Sequence, residues 1–91
     1  MKQLLGPAAG KLAQATGSAA AVAVVWAELV GESIARNAQP RSLAGGVLLV
    51  ETRTAQWQAE LQGREAALRA QLNQALGSTV VRRLEFKVAA W

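Results

Sequence analysis

The dipeptide Gly45-Gly46 constrains the fold of this chain more than any other feature. It lies between two stretches that read as strands, Pro40–Leu43 and Val47–Thr54. With Ala44 before it, the segment Ala44-Gly45-Gly46 reads as a hairpin turn, where positive φ is often required and glycine adopts it without steric cost. Pro40 disfavours helix in the residue before it, so the chain must reach the turn in extended geometry. After the turn the residues alternate. Leu48, Val50 and Thr52 share one face, while Val47, Leu49, Glu51 and Arg53 share the other, which turns polar halfway along. One face is therefore expected to be buried throughout and the other only at its start. A hairpin inside a chain otherwise rich in Ala and Leu predicts an α+β fold.

Helical signals flank this hairpin. Lys2–Gln14 is Ala/Leu-rich, with Pro7 suited to a first turn, and Gly17 and Ser18 end that segment. Ala19–Asn37 predicts a second helix, with Trp26, Leu29, Val30, Ser33 and Ile34 on one stripe. Gly31 falls inside it. Glycine costs about 1 kcal/mol there relative to Ala, which predicts close approach of another backbone. Ala55–Gln62 reads as a short helix carrying Trp57 and Leu61 four residues apart. Gly63 breaks it, Arg64–Leu76 forms the next helix, and Gly77 caps that helix. Val80–Val88 reads as the last strand, with Leu84, Phe86 and Val88 inward. The expected core comprises Trp26, Leu48, Val50, Trp57, Leu61, Leu72 and Phe86. For Trp57 the two readings are packing and contact with a ligand or partner, and aromatics at helical spacing more often pack. Two helices between the second and third strands allow a crossover back onto the sheet. Without the N-terminal helix, the order is that of a type II KH domain: a three-stranded sheet covered on one face by helices.

Composition narrows the function. The chain of 91 residues is 52% hydrophobic, enough for one folded domain, expected to span residues 1–91. It has no His, Cys, Asp or Tyr. Hydrolase triads usually need a His base, and common zinc sites need His or Cys. No phosphate-binding Gly-x-x-x-x-Gly-Lys-[Ser/Thr] loop is present. These absences predict a non-enzymatic protein with no cofactor and no metal. The apolar run Ala19–Ala27 is nine residues long, against about 20 for a membrane span, which leads to an expectation of a cytoplasmic protein. The net charge of +4 is split evenly between the two halves of the chain. It allows weak attraction to phosphates and forms no basic block.

Three basic residues have a Glu four positions earlier: Arg36 with Glu32, Arg64 with Glu60 and Arg69 with Glu65. Lys11, Arg41, Arg82, Arg83 and Lys87 have no such partner. Of these, Lys11, Arg82, Arg83 and Lys87 are the candidate DNA-facing residues. The competing reading is that charges on the last strand protect a sheet edge. Val47, Leu49 and Trp91, rimmed by Glu51 and Arg53, are the candidate surface for a protein partner. Gly63 lies where a KH domain carries its Gly-x-x-Gly loop, but Leu61-Gln62-Gly63-Arg64 has only one glycine. Arg64 either contacts a phosphate or pairs with Glu60, and the pair is favoured. No pair of sheet aromatics of the kind that stacks bases is visible.

An ordered set of residues runs along the chain. It reads Trp26-x-x-x-Val30-Gly31-Glu32-x-Ile34-Ala35, Pro40, Gly46-Val47-Leu48-x-Val50, Trp57-x-x-Glu60-Leu61, Leu72-Asn73-x-x-Leu76-Gly77 and Leu84-x-Phe86. This set resembles the DciA family over about residues 19–88. The resemblance implies a KH-like domain that binds a bacterial DnaB-type replicative helicase, assists its loading and has some affinity for DNA. Many members of that family carry a basic, flexible extension beyond this domain. The alternative is a KH-like RNA-binding module with no helicase partner.

Overall fold

The computed structural model describes residues 19–89 and residue 91. The helix expected over Lys2–Gln14, and Lys11 with it, lies outside the described residues. Helix α1 spans Ala19–Val30 and α2 spans Glu32–Asn37. Strands β1 (Ala38–Ala44) and β2 (Val47–Thr52) follow, then α3 (Ala55–Gln62), α4 (Glu65–Leu76) and β3 (Arg83–Val88). The three strands form one mixed sheet in the order β1-β2-β3. β1 and β2 are antiparallel and β2 and β3 are parallel, so α3 and α4 make the crossover. The fold is α+β, as expected.

The expected single helix over Ala19–Asn37 is two helices. The chain turns at Gly31, where φ is +90° and ψ is 166°, a combination that only glycine adopts readily. The anticipated close approach of another backbone is absent, since a Cβ at Gly31 would meet nothing within 4 Å. Its conformation, and not its size, is what the position requires. Helical hydrogen bonds persist on both sides, from Gly31 N to the Ala27 carbonyl and from Ala35 N to the Gly31 carbonyl.

β1 begins earlier than expected, at Ala38, because Arg53 N donates to the Asn37 carbonyl and extends the ladder. The turn has φ of +58° at Gly45 and +83° at Gly46, the pair of positive values that a tight hairpin requires. The register shifts between Pro40 and Ser42, leaving Arg41 as a bulge. β3 begins later than expected, at Arg83, because Asn73 of α4 intercepts the chain before it. Its Oδ1 accepts from Val80 N and Val81 N, and its Nδ2 donates to the Val81 carbonyl. Those backbone groups are satisfied without a neighbouring strand.

The core occupies one side of the sheet. Leu48 and Val50 of β2 and Leu84 and Phe86 of β3 face Val22, Val25 and Trp26 of α1 and Leu61, Leu68, Leu72 and Leu76 of the later helices. Each fully buried aliphatic side chain contributes about 1.5–3 kcal/mol by leaving water. The Trp26 indole N–H, buried with its ring, donates to the Ala38 carbonyl at 2.9 Å. Thr52 is fully buried, and its hydroxyl donates to the Thr54 carbonyl at 3.2 Å. Two residues depart from the expected inward set. Trp57 is half-buried at the edge of the core, and Val88, expected inward, is 41% exposed at the end of the edge strand, although Thr52 beside it is fully buried.

The free edge of β3 is dressed by side chains. Residues Arg83 and Ala89 donate from their backbone toward the β2 side, to Gly46 and Thr52. By alternation, Leu84 and Phe86 turn their backbone groups outward. Glu65 of α4 accepts from Leu84 N at 3.0 Å, and Gln58 of α3 donates to the Phe86 carbonyl at 2.8 Å.

Candidate functional site

The face of the sheet away from the helices gathers most of the residues singled out from sequence. Parallel pairing sets Val47 beside Arg83, Leu49 beside Glu85 and Glu51 beside Lys87. The residues expected to meet a protein and two of those expected to meet DNA therefore alternate on a single face. Val47 and Leu49 are half-buried at its centre, while Arg83, Glu85 and Lys87 are exposed along β3. Arg83 donates to Glu85 at 2.7 Å, and Arg41 donates through Nε to Glu51 at 2.7 Å.

Trp91 closes one end of this face. The guanidinium carbons of Arg41 and Arg53 each lie 5.5 Å from the centre of its ring. The chain reaches that position because Ala89 N donates to the Thr52 carbonyl, which carries it past the end of β2. Cation–π contacts of this exposed kind contribute about 0.5–1 kcal/mol each.

Arg82 stands apart from the strand, at the opposite end. Its backbone N donates to the Gly46 carbonyl at 2.7 Å, and its carbonyl accepts from Arg69. Its aliphatic stem crosses the hairpin so closely that a Cβ on Gly46 would fall 2.5 Å from the Arg82 Cδ. Among the described residues, no carboxylate lies within salt-bridge distance of Arg82, Arg53 or Lys87. Of the bases that lacked a helical partner in sequence, Arg41 and Arg83 prove to be paired within the sheet.

Arg41 was missed as a site residue, and the reason is the bulge. Counting back from Gly45-Gly46 without it would set Arg41 opposite Val50, facing the core. The bulge lets Pro40 take that place and turns Arg41 outward to Glu51 and Trp91. A charge at a position whose neighbours demand burial was the available signal.

The helical side carries a cleft of about 340 Å³ lined by Ile34, Gln56, Trp57, Glu60 and Arg64. Thr54 caps α3 by accepting from Trp57 N, which sets the start of that helix beside the cleft. Arg64 donates to Glu60 at 2.6 Å, so it takes the ion-pair role and not that of a free phosphate ligand. Gly63 has ordinary helical angles and forms no phosphate cradle. Among the described residues, no three His, Cys, Asp or Glu side chains are placed to hold a metal, and no helix is long and apolar enough to cross a membrane.

Among the described residues, these features define an α+β fold whose mixed sheet is covered by helices on one side and open, charged and partly apolar on the other. The chain belongs to the DciA family: the family model described as "Dna[CI] antecedent, DciA" matches residues 1–86. UPF0232 proteins of Mycobacterium tuberculosis and Mycobacterium leprae are each 38% identical to it over 88 residues, 91% of this chain and 47% of theirs. A UPF0232 protein of Rhodococcus jostii is 34% identical over 59 residues, 65% of this chain and 31% of its own length. The chain thus spans about half the length of the mycobacterial relatives it matches.

Proposed function

We propose that this chain is a non-enzymatic, cytoplasmic adaptor that binds a bacterial DnaB-type replicative helicase, assists its loading on DNA and touches DNA weakly itself. The family match over residues 1–86 carries this reading. An adaptor needs no chemistry of its own. It needs a surface with different affinities for two states of the helicase ring, since only differential affinity shifts such an equilibrium. The open sheet face offers Val47 and Leu49 as apolar anchors, with Glu51, Arg53 and Trp91 as a rim that tunes register and on-rate. A standard interface buries about 800 Å² on each partner, within reach of a domain this size. Any ATP consumed would be the helicase's.

The test is a titration of the chain against the replicative helicase of the same organism, followed by a DNA-loading assay. Binding at micromolar concentrations with faster loading is expected. No binding at tens of micromolar, with both proteins folded, would sink the adaptor reading and promote the RNA-binding one. DNA binding by the chain alone should be weak, because few phosphates are neutralised, and should weaken further with added salt, because counterion release drives the association.

A further inference from the structure

We infer that the open face of the sheet is a platform for single-stranded nucleic acid, with Trp91 as the ring on which a base stacks. This rests on the nucleic-acid part of the proposed function and assigns that part a place and a strandedness, on the face also offered above to the helicase, so that the two occupants exclude one another there.

Charge is the first argument. Along the sequence the positive excess is evenly spread, but in space it is not. On the helical side Arg36, Arg64 and Arg69 are each matched by a glutamate, and Glu28 is left over. Among the described residues, the open face and its rim hold Arg41, Arg53, Arg83 and Lys87 against Glu51 and Glu85, and Arg82 is a further cation at the hairpin end of the sheet. Folding therefore sorts the charge of the described residues, leaving the helical side slightly acidic and the open side basic. A polyanion is drawn to the open side.

The second argument separates single strand from duplex. Val47 and Leu49 form an apolar strip at the centre of the face, and Trp91, 36% exposed as a residue, adds an indole. A duplex hides its base faces and presents phosphates, which gain nothing from an apolar strip. An unpaired base presents a π-face, and base–aromatic stacking beside arginines is how strand-binding surfaces without sequence preference work. Arg83 and Lys87 lie four residues apart on β3, giving a track of about 13 Å for the backbone beside that strip. Glu51 and Glu85 are each held by an arginine, which blunts their repulsion of phosphates. An acidic peptide would meet the cations but leave the ring and the strip unused.

The test uses the whole chain at low salt, with labelled oligo-dT and oligo-rU of about 15 nucleotides, a length that fills a single-strand site, and a duplex of equal length. Anisotropy gives affinity, and indole emission reports stacking. Trp91→Ala is expected to weaken oligo-dT binding about tenfold and to abolish the quenching, while leaving duplex binding unchanged. Oligo-rU should behave like oligo-dT, since no 2′-hydroxyl contact is invoked; a large preference for either would overturn the platform as described. Arg36→Ala, which removes a charge from the helical side, should change neither affinity. A melting curve for each variant establishes that it is folded. Equal binding of oligo-dT by Trp91→Ala and the parent chain overturns the stacking role. Binding of poly-Glu as tight as that of oligo-dT overturns the nucleic-acid assignment. Helicase binding without oligonucleotide binding overturns the platform and leaves the adaptor reading intact. Trp91-dependent oligonucleotide binding without helicase binding supports the platform and removes the adaptor reading.

Discussion

Strand β2 has two faces that follow different rules. On the covered face Leu48, Val50 and Thr52 are wholly buried, and even the one hydroxyl has its partner inside the protein. On the open face Val47, Leu49 and Glu51 are only half-buried, and the ion pairs around them stand in water. The same six residues thus serve two purposes, and alternation along the strand keeps them separate. A change on the covered face is paid in stability. A change on the open face alters what the domain can touch while leaving the fold intact, because exposed ion pairs of this kind typically contribute about 1 kcal/mol or less.

The sharpest break of this comparison should come at Trp26. Trp26→Ala empties the centre of the covered side and strands the Ala38 carbonyl. A loss of about 3–5 kcal/mol is expected, and thermal melting should show a fall of at least about 12 °C, or no cooperative transition at all. Next, two neighbours on β2 should part company. Val50→Ser puts a hydroxyl in the core and is expected to cost about 3 kcal/mol, whereas Leu49→Ser should cost less than about 1. Equal costs in urea titration would mean the open face is itself part of the core. Trp57→Ala is an intermediate case. Half-buried at the cleft, it should cost about 2 kcal/mol, short of a fully buried Trp. Gly31→Ala discriminates by sign. In an unbroken helix it would stabilise by about 1 kcal/mol, but at φ +90° it should destabilise by about 1–3. The smallest effect is expected at Arg41. Arg41→Ala removes an exposed ion pair and one cation from Trp91, and a double-mutant cycle with Glu51→Gln should return a coupling below about 1 kcal/mol.

Local rules made much of this fold legible in the sequence. The bounds of α3, the glycine hairpin, the alternation in β2 and three helical ion pairs all follow from contacts within a few residues. What escaped depends on groups far apart in the chain. Asn73 delays β3 by bonding to residues seven and eight positions on, and nothing in the strand's own pattern marks it. The bulge at Arg41 is a compromise between ladder and charge that strict alternation cannot express. Gly31 was noticed, but size and dihedral freedom give the same letter, and only φ separates them. The candidate site was legible as two short sets of residues. That Val47, Leu49 and Glu51 lie beside Arg83, Glu85 and Lys87 depends on the parallel register, which no residue type encodes. Trp91 next to two arginines likewise required the path of the chain past β2.

Gln58 and Glu65, reaching from two helices to the outer backbone of β3, bear on how the protein behaves when crowded. An arriving strand must form its first ladder bonds before any later ones can reward it. Here those first donors and acceptors are occupied, so the newcomer must evict an amide and a carboxylate at the outset. Sheet growth is hindered at its nucleation step, where it is already least favourable. Growth of the sheet from its β3 edge is thereby disfavoured under conditions where a bare edge would seed fibres.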